Sequence, residues 1–490
     1  MSKLNYLEQE PPIFLINASK IEGRFDPYFY NSDLQKFTSI TNHSVNRIND
    51  IALNFKSGFG VGRQDQATET EGLIQIRPTN ISNEGTLKFD KNVYIPYDCV
   101  GNNDLAEKGD VLFNNTNSQD LVGKTVFYDL DERLAFSNHI TQIKVDKSQI
   151  IPEYLWIILN IYQLHKIFFS VCTNWNNQSG VGIELLKSMK IPVPEIDFQQ
   201  KIVDTFNFAL KSKQQKESQA NELLKSIDEY LLSELGIILP TKDNSIQNRI
   251  FTTTFGQVSG NRFDPKQYET FAQNLFAAIE NSKYDKIRLK KLITQSVAGD
   301  WGLDETAPID ENEYTKCLVI RATEFDNDFN LNISNSRAKF RLIKNDKLQK
   351  LDIKFNDLLI EKSGGSPDQP VGRISILTKE LVNENTLCYS NFIHKIRVDT
   401  TEILPEYLFC FLKTIHNIKV TEIMQSQTNG IRNLIMREYF NQKIVIPDKT
   451  KQKEISDKAN KMRDKAKQLR EKAINELNKA RETIEKMILE

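Results

Sequence analysis

The sequence is poor in the groups that most often carry chemistry. Its 490 residues include five cysteines and five histidines. Cys99, Cys172, Cys317, Cys388 and Cys410 are scattered, odd in number and never in a CxxC pair. That excludes a disulfide framework and a zinc ribbon, and it predicts buried free thiols in a reducing, cytoplasmic setting. His43, His139, His165, His394 and His416 show no metal-ligand spacing. Excess charge is also missing. Lys+Arg number 64 against 65 Asp+Glu, a net charge of −1. No global field therefore draws the chain to nucleic acid, and any DNA binding would have to come from local basic surfaces or a partner subunit. Long apolar runs are absent. A stretch such as Leu155–Leu159 is far too short to span a bilayer. The N-terminus, with Glu8, Glu10 and two prolines, does not read as a signal peptide.

What the sequence does hold is a repeat. Arg24-Phe25-Asp26-Pro27 recurs as Arg262-Phe263-Asp264-Pro265. In the same order, Ile74–Arg77 answers to Leu318–Arg321, Gly109–Phe113 to Asn356–Ile360, and Val122-Gly123-Lys124 to Val371-Gly372-Arg373. Phe136-Ser137-Asn138 matches Tyr389-Ser390-Asn391, Ile151–Leu155 matches Leu404–Leu408, and Ile191–Pro194 matches Ile444–Pro447. No single match is specific, but their common order indicates duplication. Each copy predicts a short helix near Asp33–Thr41 or Tyr268–Asn281. Short β-branched and aromatic strands follow, such as Gly72–Pro78, Asp110–Phe113, Thr125–Asp129 and Ile140–Val145. A helix then starts at Pro152 or Pro405, and a last strand, Lys190–Val193 or Lys443–Ile446, ends at proline.

Each copy runs on into a long charge-rich helix. The first, Phe198–Leu235, places Ile202, Phe206, Ala209, Ala220, Leu223, Ile227 and Tyr230 at steps of three and four, with Lys213 and Lys216 between. The second, Thr450–Leu489, does the same with Ile455, Ala459, Met462, Ala466, Leu469, Ala473, Leu477, Ala480, Ile484 and Met487. Each would be about 57–60 Å long. A stripe this narrow suits a helix partner better than a globular core. Antiparallel pairing would relate two heads by an approximate two-fold axis, as B-DNA relates two half-sites.

This order of head, helix, head, helix resembles the specificity subunit of a type I restriction–modification system. The pieces that carry the resemblance are Gly109–Phe113 leading through Asn114–Asp120 to Val122-Gly123-Lys124, its second copy through Val371-Gly372-Arg373, Ile191–Pro194 running through Gln199-Gln200-Lys201-Ile202, and Ile446-Pro447 through Gln452 to Ile455. The implied fold is α+β: two tandem mixed, mostly β target-recognition domains at residues 1–197 and 255–447. Long helices at 198–236 and 448–490 pair as an antiparallel coiled coil, with a linker at 237–254. The implied function is non-catalytic recognition of a bipartite double-stranded DNA target. The helices would act as spacer and dock two methyltransferase subunits, and a motor-nuclease subunit can join. The chain itself is expected to hold no cofactor, and S-adenosylmethionine would belong to the methyltransferase. A coiled-coil adaptor that never touches DNA, the specificity subunit of another multisubunit restriction enzyme, and a freestanding methyltransferase or nuclease are the alternatives.

Catalytic signatures fall short. Asp26-Pro27-Tyr28 lacks one proline of the Asp-Pro-Pro-Tyr element of N6-methyltransferases, and Asp264-Pro265-Lys266 lacks the aromatic. Both read as turns tethered by Arg and Asp. The Gly58–Gly62 loop is not followed by Gly-Lys-Ser/Thr. Asp357 with Glu361-Lys362 lacks nuclease spacing. The expected DNA-binding residues are loop amides, hydroxyls and cations, because Arg and Lys suit guanine or phosphate and Asn and Gln suit adenine. In the first copy these are Lys56, Arg63, Gln64, Arg77, Asn80, Asn114, Asn115, Asn117 and Lys124. In the second they are Trp301, Arg321, Thr323, Lys362, Ser363, Gln369 and Arg373. Polar stretches at Asn174–Gln178 and Gln425–Asn429 with Arg432 either line the groove or close a loop.

Overall fold

A computed structural model describes residues 16–18, 21, 30, 33–39, 41–101, 104–176, 178–243, 245–259, 262–308, 310, 312–326, 331–333, 339–365, 369–428 and 430–489. The first Arg-Phe-Asp-Pro motif, and with it Asp26-Pro27-Tyr28, lies outside the described residues. The chain forms two compact units, residues 1–215 with 472–490, and residues 216–471. Each long helix gives one half to each unit.

In the first unit Ser44–Arg47 pairs with Lys190–Val193. A four-stranded antiparallel sheet runs Ala52–Ser57, Ile140–Val145, Val111–Asn114, Thr125–Phe127. A three-stranded sheet runs Tyr94–Pro96, Gly72–Ile76, Ala135–Phe136, the last pair parallel. A third, small sheet joins Thr173–Trp175, Gln178–Gly180 and Thr116–Asn117.

The second unit repeats this pairing for pairing. Asp285–Arg288 meets Lys443–Ile446. The four-stranded order is Ile293–Ala298, Ile393–Val398, Leu358–Glu361, Ile374–Ile376, and the three-stranded one is Lys339–Lys344, Tyr314–Ile320, Leu387–Tyr389. Gln425–Thr428, Ile431–Leu434 and Ser363–Gly364 form the small sheet. Even the register shift recurs, between Ala52 and Asn54 and between Ile293 and Gln295. Duplication is thus legible in the hydrogen-bond ladder as well as in the sequence.

The central strand of each four-stranded sheet is buried on both faces. Side chains alternate across a strand, so Val111 and Phe113 join the larger core of the first unit while Leu112 joins the smaller one. Leu358 and Ile360 divide from Leu359 in the same way. The larger cores also take in the helices Pro152–Leu164 and Pro405–Asn417, each opened by proline, whose missing N–H has no intrahelical partner at that position. Gly58 and Gly299 pass against the sheet so closely that a Cβ would lie 2.1 Å from the carbonyl oxygens of Phe136 and Ser390 respectively.

The long helices run Ile196–Leu235 and Lys449–Leu489, starting a residue or two earlier than the sequence indicates. Within the first unit, Ile202, Val203, Phe206, Ala209 and Leu210 share a core with Leu477, Ala480, Ile484 and Ile488. Ser212 donates to Glu476 (2.9 Å). Within the second unit, Ile227, Leu231, Leu232 and Leu235 share a core with Ile455 and Ala459. There Lys451 pairs with Glu234 and Arg470 donates to Asn221, so residue numbers fall along one helix as they rise along the other. That is antiparallel pairing: the stripes predict a helix partner, and the direction is the one the resemblance implies. Lys213 fills a buried seam position and carries its ammonium to Glu84, 3.7 Å away. Four cysteines are buried as expected, but Cys99 is exposed, because it ends a one-turn helix, Tyr97–Cys99, with no buried residue.

Candidate nucleic-acid interface

The loops singled out in the sequence sit at strand ends, and most of their polar side chains are held by neighbours. In the first unit, Lys56 reaches Asp104 (2.7 Å). Arg63 and Gln64 stand exposed on a one-turn helix. The Arg77 guanidinium gives two hydrogen bonds to Gln75 Oε1 (3.2 and 3.0 Å). Gln75 in turn donates to the Phe59 carbonyl (2.9 Å), strapping the glycine loop to the strand. Asn80 is buried, accepting from the Arg77 N–H (2.9 Å) and donating to the Lys88 carbonyl (3.0 Å). Asn114 is fully buried, and Asn115 donates to Thr141 Oγ1 (2.9 Å) and the Asn138 carbonyl (3.2 Å). Asn117 accepts from the Ser118 N–H (2.8 Å). Lys124 donates to Asn83 Oδ1 (2.6 Å), and burial pushes its pKa down.

A hollow of about 360 Å³ gathers Asn117 and Lys124 with Thr79, Lys88 and Lys91. Three lysines against one carboxylate, Asp90, leave this concavity net basic and suited to a phosphate oxygen. Lys88 and Lys91 escaped the sequence reading because they lie on a stretch with no counterpart among the repeated motifs.

In the second unit Trp301 lies under the Arg341 guanidinium, 4.8 Å from ring centroid to Cζ. Arg321 grips the buried Glu324 with Nη2 (2.7 Å) and Nε (3.2 Å), and Thr323 donates to the same carboxylate (2.9 Å). Arg373 makes two 2.8 Å bonds to the buried Glu361 and donates to the carbonyls of Phe325 (2.7 Å) and Ala322 (2.8 Å). It therefore ties the central strand to the turn that follows Arg321. Ser363 donates to Asn433 Oδ1 (2.7 Å), and the Lys362 peptide bonds both Phe392 and Leu434 (2.8 and 2.7 Å). Gln369 is half-buried, and residues 366–368 beside it lie outside the described residues. The turn at Arg262–Pro265 is tethered as the sequence suggests, Arg262 Nη2 to Asp264 Oδ2 at 2.5 Å.

Sequence reasoning missed a buried polar cluster in each unit. Lys395 is fully buried, donating to Asp357 (3.1 Å) and Gln295 (2.7 Å), while Arg397 holds the other Asp357 oxygen (2.7 Å). Burial pulls the Lys395 pKa down, and Asp357 opposes it. The first unit puts the neutral Gln142 in the place of Lys395, donating to Asp110, whose carboxyl is pushed up by burial. The repeated Gly-Asp and Asn-Asp pairs were the available signal. Among the described residues no group of three or more His, Cys, Asp or Glu is placed to hold a metal ion, and no helix is long and apolar enough to cross a membrane.

Over 95 residues the chain is 32% identical to the "Putative type I restriction enzyme MjaX specificity subunit" of Methanocaldococcus jannaschii. The chain resembles a type I specificity subunit. The match takes in 19% of this chain and 22% of that relative, so it spans about a fifth of the relative's length. No protein-family model matches. Among solved structures, the type I restriction–modification S subunit of M. genitalium aligns at 14% identity and TM-score 0.43, covering 92% of this chain and 96% of its own. A chain from a structure of type I restriction–modification complex assembly gives 12% identity and TM-score 0.45, over 92% of this chain and 97% of its own. The HsdS subunit of Thermoanaerobacter tengcongensis gives 13% and 0.33, over 91% and 95%. These alignments are loose, and the family resemblance rests on the 95-residue match.

Proposed function

We propose that this chain is the DNA sequence-recognition subunit of a type I restriction–modification complex. It has no catalytic site of its own, and each unit reads one half of a bipartite target. The observation that carries this reading is the duplication itself. Two units share every strand pairing but differ in the loops at the strand ends, Asn114–Gln119 against Lys362–Gln369 for example. A conserved scaffold with divergent polar loops suits two readers of different sequences. The paired helices would dock two methyltransferase subunits, which bring S-adenosylmethionine and methylate adenine. With a net charge of −1, the chain alone binds DNA weakly on this reading, and the partners neutralise most phosphates.

Mapping N6-methyladenine across the genome in cells with and without this gene tests the reading. The expected result is a split motif with a constant gap that disappears with the gene. A methylation pattern indifferent to the gene would overturn it. Purified chain that methylates or cuts DNA unaided would instead favour a freestanding enzyme.

A further inference from the structure

The small sheet of each unit brings together two stretches that lie far apart in sequence. In the first unit, Thr116–Asn117 pairs with Gln178–Gly180, and that strand forms a hairpin with Thr173–Trp175. In the second, Ser363–Gly364 pairs with Ile431–Leu434, which forms a hairpin with Gln425–Thr428. Each hairpin thus extends the polar loop that leaves the central strand.

The two ribbons share a feature that the sequence hides. At the last pair before the turn, one partner is a large apolar side chain turned to solvent. In the first unit this pair is Trp175 with Gln178, in the second Thr428 with Ile431. Trp175 and Ile431 are each 47% exposed, on opposite strands of their hairpins. Their surroundings are polar. Thr173, Asn174, Asn176 and Gln178 are exposed in one ribbon, and Gln427 in the other. Trp175 is also held in place. A Cβ on Gly180 would lie 2.3 Å from its ring, so the ring rests on bare backbone, while Asn174 Oδ1 is fixed by Ser179 Oγ (2.5 Å).

We infer that these paired strands, Thr173–Trp175 with Gln178–Gly180 and Gln425–Thr428 with Ile431–Leu434, are the ribbons that enter the DNA groove, with Trp175 and Ile431 making the apolar base contact of their respective half-sites. The inference rests on the proposed DNA-recognition function and names the reading element within it. A two-stranded ribbon fits the major groove, about 12 Å wide. Carboxamides match the donor–acceptor pair of adenine, and an apolar tip matches the thymine methyl group. The sequence from Thr173 to Gly180 carries no charge, so nothing ionised must be stripped of water as the first ribbon meets base edges, whereas the second carries Arg432, a residue type suited to guanine or phosphate. Lysines of the neighbouring hollow supply phosphate contacts instead.

The full-length chain, co-produced with its methyltransferase partner, provides the test. Trp175→Ala should relax methylation at one half of the motif only, and Ile431→Ala at the other half only. Each should weaken binding to the cognate duplex by about 10-fold, within the range for one base contact. Gln178→Ala, an exposed position, should relax the same half as Trp175→Ala and decides the matter if the tryptophan variant misfolds. Unchanged motif and affinity in Gln178→Ala and Ile431→Ala would overturn the inference while leaving a split wild-type motif, and so the proposed function, standing. Loss of methyltransferase co-purification by a variant with native circular dichroism would also overturn it, assigning the ribbon to a protein partner. A wild-type complex with no split motif would sink the proposed function itself.

Discussion

Gln199 and Gln452 are buried in the first turn of the two long helices. Gln199 accepts from the Ile151 N–H (2.8 Å) and donates to the carbonyls of Gln149 (3.1 Å) and Pro194 (2.8 Å). Gln452 does the same with Leu404 (2.8 Å), Glu402 (3.3 Å) and Pro447 (2.9 Å). One carboxamide therefore joins three segments: the last strand, the approach to the proline-started helix, and the long helix. No shorter side chain reaches all three. Gln452→Ala leaves a buried N–H and two carbonyls unpaired, and each unpaired group costs on the order of 1–3 kcal/mol. Thermal denaturation should show a clear fall in melting temperature. Gln452→Glu, which keeps the acceptor but buries a charge against two carbonyls, should fall further. A Gln452→Ala chain that melts like the parent would show the three segments to be joined by other means.

At the scale of elements, the long helices carry fully buried alanines. Ala220, Ala466 and Ala473 are at most 1% exposed, leaving no room for a larger side chain. Filling such a position forces the helices apart, and overpacking of this kind costs about 1–3 kcal/mol. Ala473→Leu should therefore lower the melting temperature, although leucine is apolar and a good helix former. Phe208→Ser should not, because Phe208 is 80% exposed on the opposite face. Equal effects of the two substitutions, read in one thermal series, would contradict the seam. These helices were legible beforehand because their periodicity is local: steps of three and four name the buried face without knowledge of the partner. The last strands, Lys190–Val193 and Lys443–Ile446, were legible for a similar reason, proline marking where pairing stops. The candidate interface was legible only as a set of loops. Whether Asn115 or Arg373 faces outward depends on Thr141 and Glu361, partners separated from them in sequence. The hairpins joined the polar loops through long-range pairing that no local pattern announces.

At the scale of the molecule, duplication has left the second unit with two half-buried or buried histidines at positions where the first unit has none. His416 and His394 both belong to the second unit, and burial lowers each from 6.5 to about 4. His416 donates through Nε2 to the Pro370 carbonyl (3.1 Å), and Lys413 adds to the depression. His394 shares a 2.7 Å hydrogen bond with Ser296, and Lys362 opposes its charging. The first unit has Gln163 and Thr141 at the matching places. A histidine whose folded pKa is depressed contributes stability that is present above its unfolded pKa, and that contribution is lost as pH falls through the folded one. Between pH 6.5 and about 4 the unfolded chain binds protons that these two folded imidazoles refuse. The second unit should therefore lose stability over this window through these two histidines, whose places the first unit fills with residues that do not titrate there. Limited proteolysis of the full chain at stepped pH, with fragments identified by mass, should release peptides of residues 216–471 first. The double variant His416→Gln, His394→Thr gives the second unit the residues of the first and should flatten that difference. If the double variant kept the parent's pH dependence, the difference would have to come from other groups that the two units do not share, and the two histidines would be ordinary core residues.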